Sequence, residues 1–504
     1  MAVGQPEETR QAVRATSAAP GPACADPRRR AAATGLTRVQ VWLFAVLVTL
    51  AGCLLATGRL WAVLRVGVGL GVLAAAAVRL AACAVPPPPP PRPEQAPDGG
   101  WPVYTVILAL YREAEITPQL IAAIAALDYP RNRLQVIAAV EADDVATVSA
   151  CWRAGRALGL ELAFAEGDAP RTKPRALNAA LTRTRGDLVV VYDAEDRPHP
   201  LQLREAALAF AQAGPRVAVL QAPLRIADAP GLRELQHQFR LEYAALFDVL
   251  LPFLARVGLP FPLGGTSNHI RREVLRELGG WDPWNVTEDA DLGYLIVRAG
   301  YRADVIRLPT LETAPHRTQA WIAQRARWLK GHMQTFGVHS RDLRALGWRG
   351  AASLVLCLGF GVASAGLQGP VALWLLWVGA PMAVGLGGPG LAPFDALVLG
   401  LGWSSALACM AVGVRRAGGD LRWRSLALAP AFWALQSVAL ARALWQLRTC
   451  PHHWDKTDHS PDPVGAIRRR PLDGTAESGL SGGGEQLPSL PFRRGDDASH
   501  RPMG

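Results

Sequence analysis

The chain is poor in covalent staples and in nucleic-acid signatures. Its seven cysteines include no CxxC pair, and Cys53, Cys83, Cys357 and Cys409 lie inside apolar runs. That pattern excludes a disulfide framework and a thiolate zinc site, leaving small membrane-core residues. No zinc-finger or RNA-binding pattern accompanies the formal charge of +11, so nucleic acid is not an expected partner. The basic excess instead sits in Arg-rich segments beside hydrophobic runs, where cytoplasmic anchoring charges belong. The first 38 residues lack an apolar core, and no small-residue cleavage site closes the run after them. A disordered cytoplasmic tail (1–38) ahead of a retained helix is expected, not a cleaved signal.

What the chain does have is apolar length, with hydrophobic residues making up 50%, which is high for a purely soluble protein. Residues 39–58 and 60–85 each match the roughly 20 residues that span a bilayer. The second run carries only Arg65 and Arg79 as charges. Gly58-Arg59 is a tight connection, so 39–85 reads as a transmembrane hairpin, with Arg28-Arg29-Arg30 placing its start in the cytoplasm. Pro86 to Pro91 form a stiff, extended spacer within a linker over 86–100.

Between 101 and 316, short β-rich runs alternate with Ala/Leu helices. Candidate strands are Tyr104 to Leu110, Leu134 to Glu141, Glu161 to Glu166, Asp187 to Tyr192 and Val217 to Gln221. Thr117-Pro118 reads as an N-cap with Pro at the first helical position. This alternation predicts an α/β domain with a mostly parallel sheet and ligands beyond the carboxyl ends of its strands. Interfacial helices are expected over 317–350. Four apolar segments follow within 351–447 (351–368, 370–386, 394–414 and 425–445), rich in Ala and Gly as close helix packing in lipid requires. An even count leaves the loop with Arg415, Arg416, Arg422 and Arg424 outside, against the positive-inside tendency, unless one segment is re-entrant or interfacial. An interfacial segment and a disordered tail are expected over 448–504.

Three polar islands interrupt this background. Leu188 to Tyr192 is a buried strand that runs directly into Asp193-Ala194-Glu195-Asp196. Carboxylates spaced by one residue can share a divalent ion that neutralises a diphosphate, or can serve as turn residues. In Thr287-Glu288-Asp289, a capping Thr precedes first-turn acids, good helix-start chemistry in itself. Asp289 could equally take a proton from an attacking hydroxyl, with Asp291 holding the turn. Gln324, Arg327 and Trp328 are spaced i, i+3, i+4 and share a helix face. Arg suits a diphosphate and Trp a sugar ring, while a solvated interfacial helix is the plainer alternative. Lys173 opens a helix whose amides could face phosphate, or is a surface lysine. Gly264 to His269 is a small polar loop that lets a ligand approach the backbone, or a simple turn.

Together these islands resemble the membrane-embedded branch of glycosyltransferase family 2, the group of cellulose, chitin and hyaluronan synthases and related bacterial exopolysaccharide enzymes. The resemblance covers about residues 100–336 by motif and the flanking helices by architecture. It implies a GT-A-type domain inserted between transmembrane helices, cytoplasmic, at the inner (plasma) membrane of a bacterium. It also implies inverting transfer of a hexose or N-acetylhexosamine from a nucleotide-diphosphate sugar, UDP-linked, to a growing polysaccharide, with export. A non-processive lipid-acceptor transferase and an inactive scaffold or export component are the alternatives.

By the same resemblance, Tyr111 and Glu113 meet the nucleotide base, Asp143 or Asp144 lies near uridine, and Lys173 lies near the diphosphate. Asp193 and Glu195 take the acidic places of a Mg2+ or Mn2+ motif. Glu195 stands where Asp is usual, and adjacent Asp196 leaves the ligand open. Asp289 matches the catalytic base, with Glu288 beside it. Gln324, Arg325, Arg327 and Trp328 match the acceptor and pyrophosphate motif, and Gly265, Thr266 and Asn268 belong to the acceptor loop. No carboxyl-terminal cyclic-dinucleotide barrel is recognisable, so regulation of that kind would need another subunit. His452 to His459 is expected to be interfacial, not a metal site, because related enzymes often end in a similar Trp-x-Lys-Thr stretch.

Overall fold

A computed structural model of the chain describes residues 32–89, 96–165, 170–227, 231–383 and 391–454. The tails expected over 1–31 and from Thr457, the linker from Pro90, Glu166 and the residues after Trp454 lie outside the described residues.

Helices α1 (Arg38–Ala56) and α2 (Leu60–Ala84) follow one another across a turn where Gly58 takes φ 67°. The α/β domain then runs β1 (Tyr104–Ala109), α3 (Thr117–Ala125), β2 (Leu134–Glu141), α4 (Val145–Gly155), β3 (Glu161–Ala165), α5 (Lys173–Leu181) and β4 (Leu188–Tyr192). It continues through β5 (Arg197–Pro198), α6 (Gln202–Gln212), β6 (Val217–Gln221), β7 (Leu224–Ile226), α7 (Glu234–Ala245), α8 (Leu251–Arg256) and β8 (Asn268–Arg271). The domain closes with α9 (Arg272–Glu277), α10 (Glu288–Arg298), β9 (Arg302–Val305) and β10 (Thr310–Glu312). Five helices complete the described chain: α11 (Thr318–His339), α12 (Leu343–Ser353), α13 (Phe360–Ala383), α14 (Pro393–Arg416) and α15 (Trp423–Thr449).

The main sheet has the order β3-β2-β1-β4-β8-β6-β9. All its pairings are parallel except those of β8, which is antiparallel to both β4 and β6. Side chains alternate across the strands. Ile107, Val189 and Val191 pack with Leu177 and Leu292 on one face, while Val106, Leu108 and Val190 pack with Leu120 and Phe210 on the other. A small sheet, β5-β10-β7, stands beside it. Residues expected to form a loop at 268–269 are therefore strand. Thr117 is the first helical residue, with Ile116 as the N-cap. Its hydroxyl donates back to the Glu113 carbonyl at 2.7 Å.

Among the described residues, five helical stretches are long and apolar enough to cross a membrane: α1, α2, the run from Thr318 to Val378, α14 and α15. The expected segments 351–368 and 370–386 are one helix, entered through a π turn at Leu354–Gly359. Gly369-Pro370 reads as a break because Pro370 has no N–H for the Gly366 carbonyl. Ser437 on α15 supplies the missing partner, its hydroxyl reaching the Ala365 and Gly366 carbonyls at 2.7 and 3.1 Å. A neighbouring hydroxyl of this kind lets a helix in lipid keep an internal proline.

This changes the sidedness of the Arg loop. Arg65 pairs with Asp395 at 2.7 Å where α2 begins. At the other end, Arg416 donates to the carbonyls of Cys83 and Val85 at 2.8 and 2.5 Å. Helix α14 thus returns to the side of the α/β domain, and Arg415 to Arg424 lie there. The start of α15 is held to that domain by the Gln238 side chain, which donates to the Ser425 carbonyl at 2.6 Å. Its other end is held there too. Lys330 donates to the His453 carbonyl at 2.7 Å, and His452 meets the Trp284 carbonyl at 2.8 Å. A crossing helix of 27 residues would part its ends by about 40 Å; here both ends touch one domain.

Candidate active site

Strand β4 is fully buried, and its carboxyl end delivers the first acidic island. Asp193 and Glu195 line a cavity of about 730 Å³. Asp196 turns away from it. One of its oxygens accepts the Asp193 amide at 2.7 Å and the Thr266 hydroxyl, while the other is buried without a hydrogen bond. Burial, reinforced by Asp193 and Glu195, holds the Asp196 carboxyl well above the usual range. This geometry separates the two residues that the sequence left as alternatives: Glu195 faces the cavity, and Asp196 braces the loop.

Lys173, at the start of α5, crosses the cleft to this island. Its ammonium lies 2.5 Å from Asp193 Oδ1 and 3.9 Å from Glu288 Oε1, and it donates to the Gly265 carbonyl at 2.6 Å. Burial alone would lower its pKa, but Asp193, Glu288 and Asp289 outweigh burial and hold it above the lysine range.

The second island begins α10. Thr287 occupies the N-cap position, yet its side chain makes no capping bond; it faces Asn285 Oδ1 at 3.4 Å. Asp289 Oδ1 accepts its neighbour's amide, Ala290 N–H, at 2.7 Å. Burial raises Asp289, with Lys173 and Arg327 pulling it back. Burial also pushes Glu288 up to about 7 against the pull of Lys173. Both carboxylates line the cavity. Gly331 of α11 permits this packing, since a side-chain carbon there would collide with Thr287.

Gln324, Arg327 and Trp328 reach the same cavity from α11. Arg327 sits over the Trp454 ring at 5.3 Å, and Trp328 stacks near Tyr243 at 6.4 Å. Arg325, grouped with them by the motif, is instead turned to α7. It pairs with Glu242 at 2.5 Å and lies over Phe239 and Trp328, each at 4.6 Å.

At the far end, Tyr111 and Glu113 line the cavity, held by an Arg112 amide that donates to Asp144 Oδ2 at 2.5 Å. Asp144 also caps α4, and exposed Asp143 pairs with Arg171 at 2.7 Å. Neither lines the cavity. Gly265 and Thr266 do, whereas Asn268 is tied back to the Gly264 carbonyl at 2.6 Å.

Sequence reasoning missed Glu312, Tyr243, His332 and Trp454, all of which line the cavity. Burial, then Asp196, Glu195 and Asp193, raise Glu312 well above the usual carboxyl range. No local pattern marks Glu312, because it arrives with the second sheet.

Among the described residues, no three His, Cys, Asp or Glu side chains converge at metal-ligand spacing. Asp193 and Glu195 still suit a Mg2+ or Mn2+ ion of the kind held by one or two carboxylates with phosphate oxygens completing the shell. The cluster of negative groups around Glu312 adds charge that such an ion would balance.

Sheet, cavity and helices define a GT-A-type α/β domain mounted on apolar helices. Residues 102–331 match the family model described as "Glycosyltransferase like family 2", and the chain carries a glycosyltransferase family 2 domain. It is similar to "Probable glycosyltransferase YdaM" of Bacillus subtilis (strain 168), with 23% identity over 46% of this chain and 55% of that protein. It is also similar to "Cellulose synthase catalytic subunit [UDP-forming]" of Komagataeibacter sucrofermentans, with 26% identity over 47% of this chain and 32% of that protein. The chain therefore spans about half or less of the length of these curated relatives. Among solved structures, "Mannosyltransferase PcManGT from Pyrobaculum calidifontis in complex with GDP-Man and Mn2+" aligns at 22% identity and TM-score 0.46, covering 75% of this chain and 97% of that one.

Proposed function

We propose that this protein transfers a sugar, with inversion, from a nucleotide-diphosphate donor to the hydroxyl of a membrane-associated acceptor, a growing glycan or a lipid. The observation that carries the reading is one cavity that joins Tyr111, Lys173, Asp193 and Glu195 to Asp289, Arg327 and Trp328. In it, Tyr111 and Glu113 take the base, and Lys173 moves from Asp193 to the diphosphate. Asp193 and Glu195 would hold Mg2+ or Mn2+, which when bound supplies charge neutralisation to the leaving diphosphate. Asp289 takes the acceptor proton, and its raised basicity suits that role. Arg327 assists the diphosphate through a charge-assisted hydrogen bond, and Trp328 offers a ring face to the acceptor sugar.

The setting is the bacterial plasma membrane with the α/β domain cytoplasmic. Arg415, Arg416, Arg422 and Arg424 on the domain's side of the helices support this orientation. Trp403 and Trp433 meet edge to face at 6.1 Å in the cavity wall and give either acceptor an aromatic surface. The UDP-linked donor and any regulatory or export subunit rest on the sequence resemblance.

The test is nucleoside diphosphate released by the purified full chain from a panel of nucleotide sugars, with product length read from washed membranes. Asp289→Asn should lower release by about 10² to 10⁴ while the protein still inserts. Unchanged release would end the assignment of Asp289, and a single-sugar lipid product would end the polymer reading.

A further inference from the structure

The cavity does not stop at the α/β domain. It continues between α2, α13 and α14, where Val68, Val72, Ala75 and Arg79 line it from α2. These four are spaced i, i+4, i+7, i+11 and so form one stripe along the helix. Three apolar residues lie toward the far end. The single cation stands five residues before the end of α2 at Ala84, the end that Arg416 fastens to the α/β domain. From Val68 to Arg79 the stripe extends about 16 Å. On the facing helices the wall is Phe360, Leu367, Val371 and Val398, with Ser364 and Gln368 as polar exceptions.

Among the described residues Arg79 makes no ion pair or hydrogen bond. The titratable side chain that acts on it is Cys409, not a carboxylate. An arginine at membrane depth is costly unless it meets an anion or water, and it marks a functional position by default. Its planar fork matches phosphate oxygens, while an apolar wall gives a bare sugar chain few partners for its hydroxyls. We propose that this limb binds an amphiphilic lipid carrying a phosphate headgroup, with the phosphate at Arg79 and the chain lying along Val68 to Ala75. Resting on the transferase reading above, this names the acceptor as a phosphate-bearing lipid whose head faces Asp289 through the shared cavity.

The test measures lipid retention, not turnover. Delipidated full-length protein is loaded with dioleoyl phosphatidic acid or with dioleoylglycerol, which has the same chains and no phosphate, and retained lipid is counted by native mass spectrometry. Wild type should retain the phosphatidic acid about tenfold more tightly, inorganic phosphate should not displace it, and Arg79→Gln should erase the difference while leaving dioleoylglycerol binding unchanged. Arg79→Lys should restore part of the difference, which separates loss of charge from misfolding. Equal retention of the two lipids by wild type would overturn the proposal even if the glutamine variant failed to fold. Displacement by inorganic phosphate would overturn it in favour of a free-anion site. Equal retention of the two lipids by wild type that still transfers sugar would count against this site alone, and discrimination by wild type without any transfer would count against the transferase reading alone.

Discussion

Three carboxylates around the same cleft meet different surroundings, and the surroundings assign the chemistry. Asp196 is sealed under Thr266 with its pKa driven up by burial, so a neutral amide resembles the form it prefers. Glu195 opens to the cavity, where its charge has use. Asp196→Asn should therefore leave the Mn2+ concentration for half-maximal transfer nearly unchanged, while Glu195→Gln should raise it by about tenfold or more, and EDTA should stop transfer by both. A reversed ranking in a metal titration would move the ligand role to Asp196. Glu288 gives a separate signature. Its ordinary value is 4.5 and burial lifts it to about 7 in the fold. Below the ordinary value it is protonated in both states. Between 4.5 and about 7 the unfolded chain ionises this acid while the folded protein keeps it protonated, so stability falls across that window and levels off above it. In EDTA-treated protein the thermal midpoint should decline between the ordinary value of 4.5 and about 7, and Glu288→Gln should flatten the decline. An identical slope in the variant would remove Glu288 as its source.

At the scale of elements, the site depends on how closely α11 approaches the start of α10. Gly331 sets that distance against Thr287. Gly331→Ala should cost about 1 to 3 kcal/mol as an overpacked contact, depress the turnover rate more than donor binding, and recover in a Thr287→Ala background. A double-mutant cycle with no coupling would show that the two do not touch in the working protein. The same scale explains what was legible in the sequence. Strand β4 and the acids at its end were readable because an all-apolar run and its exit are local features. Strand β8 was not, since buried His269 suits a central strand only when Tyr104 and Gln202 meet it at 2.7 and 3.3 Å. The face shared by Gln324, Arg327 and Trp328 followed from helical spacing, but the turning of Arg325 toward Glu242 needed α7 in place. Glu312 and Tyr243 became visible only when the second sheet and α7 were folded against the first.

For the whole molecule, the decisive feature is the side on which each connection lies. Counting apolar segments gave four after the α/β domain and an Arg-rich loop on the unfavoured side. The structure gives one continuous α13, because Ser437 satisfies the carbonyl that Pro370 leaves free, and so turns α14 back toward the domain. Helix α15 meets that domain at both ends, through Ser425 and through His453. Its apolar residues, among them exposed Trp445 and Val438, are then expected to face lipid from an in-plane position instead of crossing. Single cysteines in a cysteine-free background distinguish the arrangements. Thr57→Cys, in the α1 to α2 turn, should react with a membrane-impermeant maleimide in intact cells. Asp420→Cys and Thr449→Cys should react only after permeabilisation, because both ends of α15 share the domain's side. Labelling at 449 but not at 420 in intact cells would mean that α15 crosses. It would also uncouple Lys330 from the His453 carbonyl and move Trp454 away from Arg327, taking one wall of the cavity with it.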